Sequence, residues 1–335
     1  MEELESFNSI TLVGYYGKNN LGDDLMLASL LEEFPNHQIK ILAFDKLIGF
    51  DEYKNINEVH IWPNMKRKKM QTFLRAIKGS EAVVWGGGTC FTDEDGDGFF
   101  KYMPIAKSLG KKIIYTGVGV GNLKRKNRKL KADFLIKIAD FLSLRDEKSY
   151  QYVKNVKGNE DKISLVRDPS IKYLQSHFNN DQFGSLNTNT LLIGWRNLEK
   201  YKDTQGNNLN NLIREVDSLI ERYSCKKIII MDVDSSYDPI VSGELFERLK
   251  GNKSDIEIIY DKESDFKAKM SVILNSRVVI TSRLHLGVVC DLANISCYIY
   301  NYSPKIEYLW EESDSQSLHL ISKDFNIVKK EYLTS

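Results

Sequence analysis

Ile10-Thr11-Leu12-Val13-Gly14-Tyr15-Tyr16-Gly17-Lys18-Asn19-Asn20-Leu21-Gly22-Asp23-Asp24 joins an apolar run to a glycine-punctuated turn and then to an amphipathic segment, Asp24–Phe34. This is the local pattern of strand, turn and helix. The pattern recurs. Apolar runs at Ile39–Phe44, Val59–Trp62, Ala82–Trp85, Lys112–Val118, Phe141–Leu144 and Ile163–Val166 alternate with helical periodicity at Lys69–Lys78, Phe99–Leu109, Asn127–Ala139 and Glu147–Val153. Such alternation predicts β-α-β units and a parallel sheet. Several runs are apolar on both faces, as in a sheet covered on both sides.

Gln175–Asn189, QSHFNNDQFGSLNTN, breaks the rhythm with polar and turn-forming residues and no apolar period, and is expected to link two domains. After it the alternation restarts, from Leu191–Trp195 through Lys227–Asp232, Ile256–Tyr260 and Val278–Thr281 to Cys297–Tyr300. The expected organisation is a first α/β domain over residues 1–175, a second over 190–310, and a tail over 311–335. The tail mixes aromatic and charged residues from Lys305 onward, which predicts one or two helices packing back on the first domain. In doubly wound folds ligands sit at the C-terminal strand ends, and two such domains are expected to share one cleft.

Composition narrows the function. The 335 residues suit two domains at roughly 150 each. With 47 Lys+Arg against 46 Asp+Glu, the net charge of +1 argues against non-specific nucleic-acid binding. No run of about 18 apolar residues predicts a membrane span, and the start, MEELESFNSI, does not read as a signal peptide. Cys90, Cys225, Cys290 and Cys297 match no zinc spacing and no C-x-x-C pair, so a reduced, cytoplasmic setting and no metal are expected.

Four strand-end motifs carry the candidate chemistry. In the first, three glycines allow close backbone approach. Asn20, Gly22 and Asp23 are candidate ligand contacts, and Asp24 is expected to cap the next helix. The spacing is not the dinucleotide fingerprint G-x-G-x-x-G. The second, Trp85-Gly86-Gly87-Gly88-Thr89, brings backbone to a phosphate or sugar through Gly87 and Gly88. The acidic run behind it, Thr92–Gly98, starts like an EF-hand loop, but Pro104 stands where the bidentate Glu should be. It therefore reads as a solvated loop or a contact for sugar hydroxyls. In the third, Ser143–Ser149, Arg145 suits bidentate binding of carboxylate or phosphate, with a surface pair to Asp146 as the plainer alternative. Val166-Arg167-Asp168-Pro169 resembles it, but Pro169 at a helix start makes a structural role sufficient. The fourth, Thr281-Ser282-Arg283-Leu284-His285, closes a strand and opens a helix. His285 can serve as acid or base near neutral pH. Arg283, Arg196 and Lys305, also at strand ends, would with Arg145 make an anion site around His285 that suits a phosphate also bearing a carboxylate. The run Lys124–Lys131 holds six cations in eight residues. It reads as a solvated helix face, or as a site of peripheral contact with an anionic membrane if the acceptor is lipid-linked.

GYYGKNNLGDD, VVWGGGTCFTDEDG, LSLRDEKS, VRDPSI, IGWRN and SRLHLGVVCDLANISCYIYNYSPKIEYL, in this order, resemble the polysaccharide pyruvyl transferase family from about Ile10 to Leu309. The resemblance implies two Rossmann-like domains in a glycosyltransferase-B-like arrangement. It also implies transfer of pyruvate from phosphoenolpyruvate to two sugar hydroxyls, with release of phosphate. Acceptors would be precursors of capsule, exopolysaccharide or cell-wall glycans, including lipid-linked oligosaccharides. By motif, Arg283, Leu284 and His285 would contact phosphoenolpyruvate, with Arg145 and Lys305 supporting the same anion. His285 would protonate the methylene carbon and Asp23 would take a proton from the acceptor. Phosphoenolpyruvate is then a co-substrate, and no cofactor is expected. The alternatives are a nucleotide-sugar glycosyltransferase of the same architecture, a non-catalytic glycan-binding scaffold and, third, a dinucleotide-dependent oxidoreductase. The sequence does not specify an oligomeric state.

Overall fold

A computed structural model describes residues 6–93, 96–177, 189–199, 208–253 and 255–328. The chain divides into two compact units, Met1–Lys18 with Gly22–Tyr173, and Asn19–Leu21 with Leu174–Ser335.

The first unit is built on strands β1 (Ser9–Val13), β2 (Gln38–Ala43), β3 (Ile56–Ile61), β4 (Ala82–Gly86), β5 (Thr89–Phe91), β6 (Lys112–Val120), β7 (Phe141–Leu144) and β8 (Ile163–Leu165). They form one sheet in the order β3-β2-β1-β4-β6-β7-β8, with β5 pairing β6 off this path, and every pair is parallel. β1 lies inside the sheet, paired on both edges, with Leu12 opposite Ile41 on one side and Val84 on the other. Its interior polar group is satisfied, because the Thr11 hydroxyl donates to Ala76 O at 2.9 Å and shares a hydrogen bond with Ser80. The order reverses between β1 and β4, the switch point where doubly wound sheets bind ligands.

Helix α1 (Leu21–Glu33) follows β1. Helices α2 (Lys66–Ile77), α3 (Met103–Ser108), α4 (Lys126–Ile138) and α5 (Glu147–Lys157) all connect strands stepping in one direction across the sheet. Right-handed crossovers put such helices on a common face. Phe73, Met103, Leu135 and Val153, one from each of the four, accordingly share one buried cluster. Helix α6 (Pro169–His177) contains the boundary between the units, at Tyr173/Leu174. The expected linker begins inside this helix, and residues 178–188 of it lie outside the described residues.

The second unit repeats the plan with β9 (Thr190–Gly194), β10 (Lys227–Met231), β11 (Glu257–Asp261), β12 (Val278–Thr281), β13 (Ser296–Tyr300), β14 (Leu318–Ile321) and β15 (Ile327–Val328). The order is β11-β10-β9-β12-β13-β14-β15, parallel except for the last pair. Its switch point lies between β9 and β12. The helices are α7 (Leu209–Tyr223), α8 (Pro239–Asn252), α9 (Phe266–Leu274), α10 (Leu284–Leu292) and α11 (Pro304–Glu312). α7 shows why they form, because Leu209, Leu212, Val216 and Leu219 repeat at helical spacing and are the residues it buries.

The tail was expected to form one or two helices; beyond α11, residues 318–328 are instead strands β14 and β15, which extend the second sheet. The physical reason is that α11 serves as a crossover. It brings Leu318, Leu320 and Ile321 alongside β13, where they are buried. All four cysteines are buried and unbridged. Among the described residues no helix is long and apolar enough to cross a membrane.

Candidate active site

At the switch point of the first unit, Tyr16 is fully buried, and its hydroxyl donates to Gly86 O at 3.0 Å, tying the loop after β1 to the end of β4. α1 begins at Leu21, so Gly22, Asp23 and Asp24 sit in its first turn and Asp24 is not the cap it was expected to be. Carboxylates in the first turn instead face the positive end of the helix dipole. Gly87 and Gly88 both have φ of +74°, a left-handed conformation that costs any other residue about 1–2 kcal/mol. A Cβ on Gly87 would collide with Met26 of α1, whereas one on Gly88 would come to 3.5 Å from Asp23 Oδ1. Gly88 N also donates to Met26 Sδ at 3.2 Å. The first two motifs thus meet, with the Asp23 carboxylate beside the backbone of Gly88.

Arg145, at the end of β7, is nearly buried. Its Nη1 donates to Asp168 Oδ2 at 2.6 Å and its Nη2 to Thr89 Oγ1 at 3.0 Å. The expected alternative pair with Asp146 does not form. Asp146 caps α5 by accepting from Ser149 N and Oγ, both at 2.8 Å. Asp168 also caps, accepting from Ser170 N at 3.0 Å and Ser170 Oγ at 2.7 Å. The acidic loop has a structural use as well, because Asp93 Oδ2 accepts from the backbone of Lys124 at 2.7 Å and of Arg125 at 2.9 Å. Among the described residues no group of three or more His, Cys, Asp or Glu could hold a metal.

In the second unit, Thr281 Oγ1 donates to Gly194 O at 2.7 Å and accepts from Arg283 N at 2.8 Å, joining the ends of β9 and β12. Arg196 N donates to Ser282 Oγ at 2.8 Å, and its guanidinium lies 5.4 Å from the Tyr237 ring centroid. Arg283 stands at the N-cap position of α10 and is buried. Its Nε donates to Asp238 Oδ2 at 3.1 Å, its Nη2 is bonded to Asp238 Oδ1, and its Nη1 lies 3.5 Å from Asp234 Oδ2. Asn20, which groups with this unit, donates to Asp234 Oδ2 at 2.8 Å. Burial pushes the Asp238 carboxyl up to about 6, with the pull of Arg283 opposing it. The expected cluster of cations therefore has two carboxylates built into it, and sequence reasoning missed both. Asp234 and Asp238 follow β10, far from Arg283 in the chain, and no local pattern marks them as its partners.

Leu284 and His285, both half-buried, open α10, whose first turn holds no acidic residue. Lys305 is exposed in the first turn of α11, just past β13, the strand beside β12. The structure thus gathers Arg196, Ser282, Arg283 and His285 around the ends of β9 and β12, and Asp23, Gly87 and Gly88 at the end of β4. Arg145 belongs to the first unit.

The sequence matches the polysaccharide pyruvyl transferase family over residues 20–304. No curated protein matches it. Among solved structures, the chain is similar to the UDP-GlcNAc 2-epimerase of Methanocaldococcus jannaschii, at 14% identity over 94% of this chain and 89% of that one, with a TM-score of 0.63. It is also similar to the MnaA–UDP complex of S. aureus, at 10% identity over 94% and 84%, with a TM-score of 0.66. Likeness at such identity shows the fold alone, two Rossmann-like domains of the glycosyltransferase-B class.

Proposed function

The chain belongs to the polysaccharide pyruvyl transferase family, and from that premise we propose that it moves pyruvate from phosphoenolpyruvate to two hydroxyls of a sugar in a surface-glycan precursor, in the cytoplasm. The product is a cyclic ketal, and phosphate is released. The observation that carries the reading is the segment Ser282-Arg283-Leu284-His285 at the second switch point, where an acid-free helix start meets a histidine and two arginines. Such a helix start favours a phosphate or carboxylate.

In this scheme His285, protonated, gives its proton to the methylene carbon of the donor, and the adjacent carbon becomes an oxocarbenium-like electrophile. An acceptor hydroxyl attacks that carbon and loses its proton to Asp23. The carbon–oxygen bond to phosphate breaks, and the second hydroxyl closes the ring, its proton returning to the now neutral His285. Arg196, Lys305 and Arg145 supply positive charge for the leaving phosphate. Asp238 occupies the Nε–Nη2 edge of Arg283 and Asp234 lies 3.5 Å from its Nη1, so Arg283 would meet the donor with both carboxylates beside it. Gly22, Gly87 and Gly88 form the acceptor side, and Asn20, bonded to Asp234, stands with the second unit. The scheme involves no net oxidation or reduction, so it needs no redox cofactor.

The test is phosphate release from phosphoenolpyruvate with a panel of glycosides, followed by mass spectrometry of the product. Ketal addition to one glycoside supports the scheme. Consumption of a nucleotide sugar without any use of phosphoenolpyruvate would replace it with the glycosyltransferase reading.

A further inference from the structure

The first unit carries a charged surface that the transfer chemistry does not use. α2 begins with four consecutive cations, Lys66–Lys69, and six more lie between Lys124 and Lys131, just before α4 and in its first two turns. Neither helix has an acidic residue in its first turn. Cations at a helix N-terminus oppose the positive end of the dipole, so this arrangement destabilises both helices. At α4 the Asp93 carboxylate, bonded to the backbone of Lys124 and Arg125, offsets part of this, but none of the ten cations forms an ion pair with a described residue. Asp133, the one acidic residue of α4, accepts the Tyr152 hydroxyl at 2.5 Å instead. The whole chain has a net charge of only +1, so this concentration is local.

The two clusters belong to one surface. α2 and α4 bury side chains in the same core cluster, and an aromatic strip connects their starts. Lys69 Nζ lies 5.8 Å from the Trp62 ring centroid, and Trp62 stacks on Phe99 at 5.5 Å. The next residue, Phe100, meets Phe134 of α4 at 5.8 Å and takes Lys131 Nζ at 5.0 Å. Large apolar side chains stand out along the strip. Met65 is 55% exposed, Leu130 60% and Phe134 44%.

Lysines and arginines interleaved with aromatic rings and exposed aliphatic side chains fit a lipid surface. Cations engage phosphate headgroups, while rings and aliphatic chains enter the boundary below them. A nucleic acid would use the cations and rings but has no apolar layer to receive Met65 and Leu130. We propose that this face docks the first unit on an anionic phospholipid surface. The inference concerns where the protein works and stands apart from the donor chemistry.

The experiment is co-sedimentation of the full chain with phosphatidylcholine vesicles, with and without phosphatidylserine, at low and high salt. Binding is expected only with phosphatidylserine and is lost at high salt. Replacing Lys66, Arg67, Lys124 and Lys126 together by Gln should weaken it by about 100-fold or more, at roughly fivefold per cation. The double change Met65→Ser and Leu130→Ser should weaken vesicle binding and leave retention on immobilised polyphosphate unchanged. The proposal is overturned by three results: equal binding to both vesicle types, no loss in the four-Gln protein, or vesicle binding untouched by the double Ser change. The last would make the face a general polyanion site. Phosphate release, measured on the same proteins with a soluble acceptor, reports separately on the transfer reading and should not change in either variant.

Discussion

Arg283→Met should destabilise the second unit strongly at neutral pH, and Asp238→Asn should not. Arg283 is 6% exposed, Asp234 2% and Asp238 0%. Removing the guanidinium leaves two buried carboxylates without their cation, and breaking such a pair from one side costs about 3–5 kcal/mol. The reverse change differs in kind. Asp238 is raised from 3.8 to about 6 because burial outweighs the pull of Arg283. At about 1.4 kcal/mol per unit, keeping it ionised at neutral pH costs the fold about 3 kcal/mol. Asparagine matches the protonated acid in shape and removes that cost, while giving up a charge-assisted contact of about 1.5–3 kcal/mol. The two nearly cancel. The sign of the pH dependence follows from a folded-state value above the unfolded one. The penalty is absent below pH about 4, grows as pH rises to about 6, and is constant above that. Melting temperatures at acidic and neutral pH check this. Arg283→Met should melt at least about 6 °C below the parent protein at neutral pH, from roughly 2 °C per kcal/mol for a unit of this size. It should recover part of the gap in acid as the carboxylates protonate. Asp238→Asn should lose the parent's slope between about pH 4 and 6. An Arg283→Met protein as stable as the parent at neutral pH would refute the buried pairing and the charge balance drawn from it.

His285→Gln should retain donor affinity by calorimetry yet lose turnover by about 10²–10⁴-fold, and should stop deuterium from D₂O entering the pyruvyl methyl group; near-normal turnover would assign the acid to another residue. Gly87→Ala should lower stability by more than the roughly 1–2 kcal/mol of its backbone alone, because its Cβ meets Met26; melting curves read this directly. Gly88→Ala has room for its Cβ beside Asp23, so it should pay only the backbone term and instead raise KM for the acceptor while leaving KM for phosphoenolpyruvate alone. An equal rise in both would remove Gly88 from the acceptor side.

The strand–helix alternation was legible because a parallel strand covered on both faces must be apolar throughout, as β9 is in being buried at every residue. Elements of another kind were hidden. β5 has three residues and β15 two, too few for any period to register. β14 lies in a charged, aromatic segment where only its pairing with β13 gives it strand character. The start of α1 was misplaced because Gly22-Asp23-Asp24 reads as a turn with a cap, yet all three residues fall within the helix. At the candidate site, glycine clusters and the Arg-x-His spacing drew attention from sequence alone. The partners of the arginines did not. Asp168 reaches Arg145 from the neighbouring strand β8, and Asp238 reaches Arg283 from beyond β10, on the far side of β9; such proximity is set by topology and not by distance along the chain.

The interior place of β1 has a consequence for how the chain is made. β1 emerges from the ribosome first and can pair early with β2, but its other edge waits for β4, since Ile10 registers against Ala82. The second unit imposes a longer wait, with Leu191 of β9 registered against Val278 of β12. During each interval an apolar strand shows an unpaired backbone edge, the feature that invites association between nascent chains. Non-local closure of this kind also slows folding. Yield during synthesis should therefore depend on how quickly β4 and β12 follow, and a chain stalled before Ala82 carries β1 with one edge uncovered.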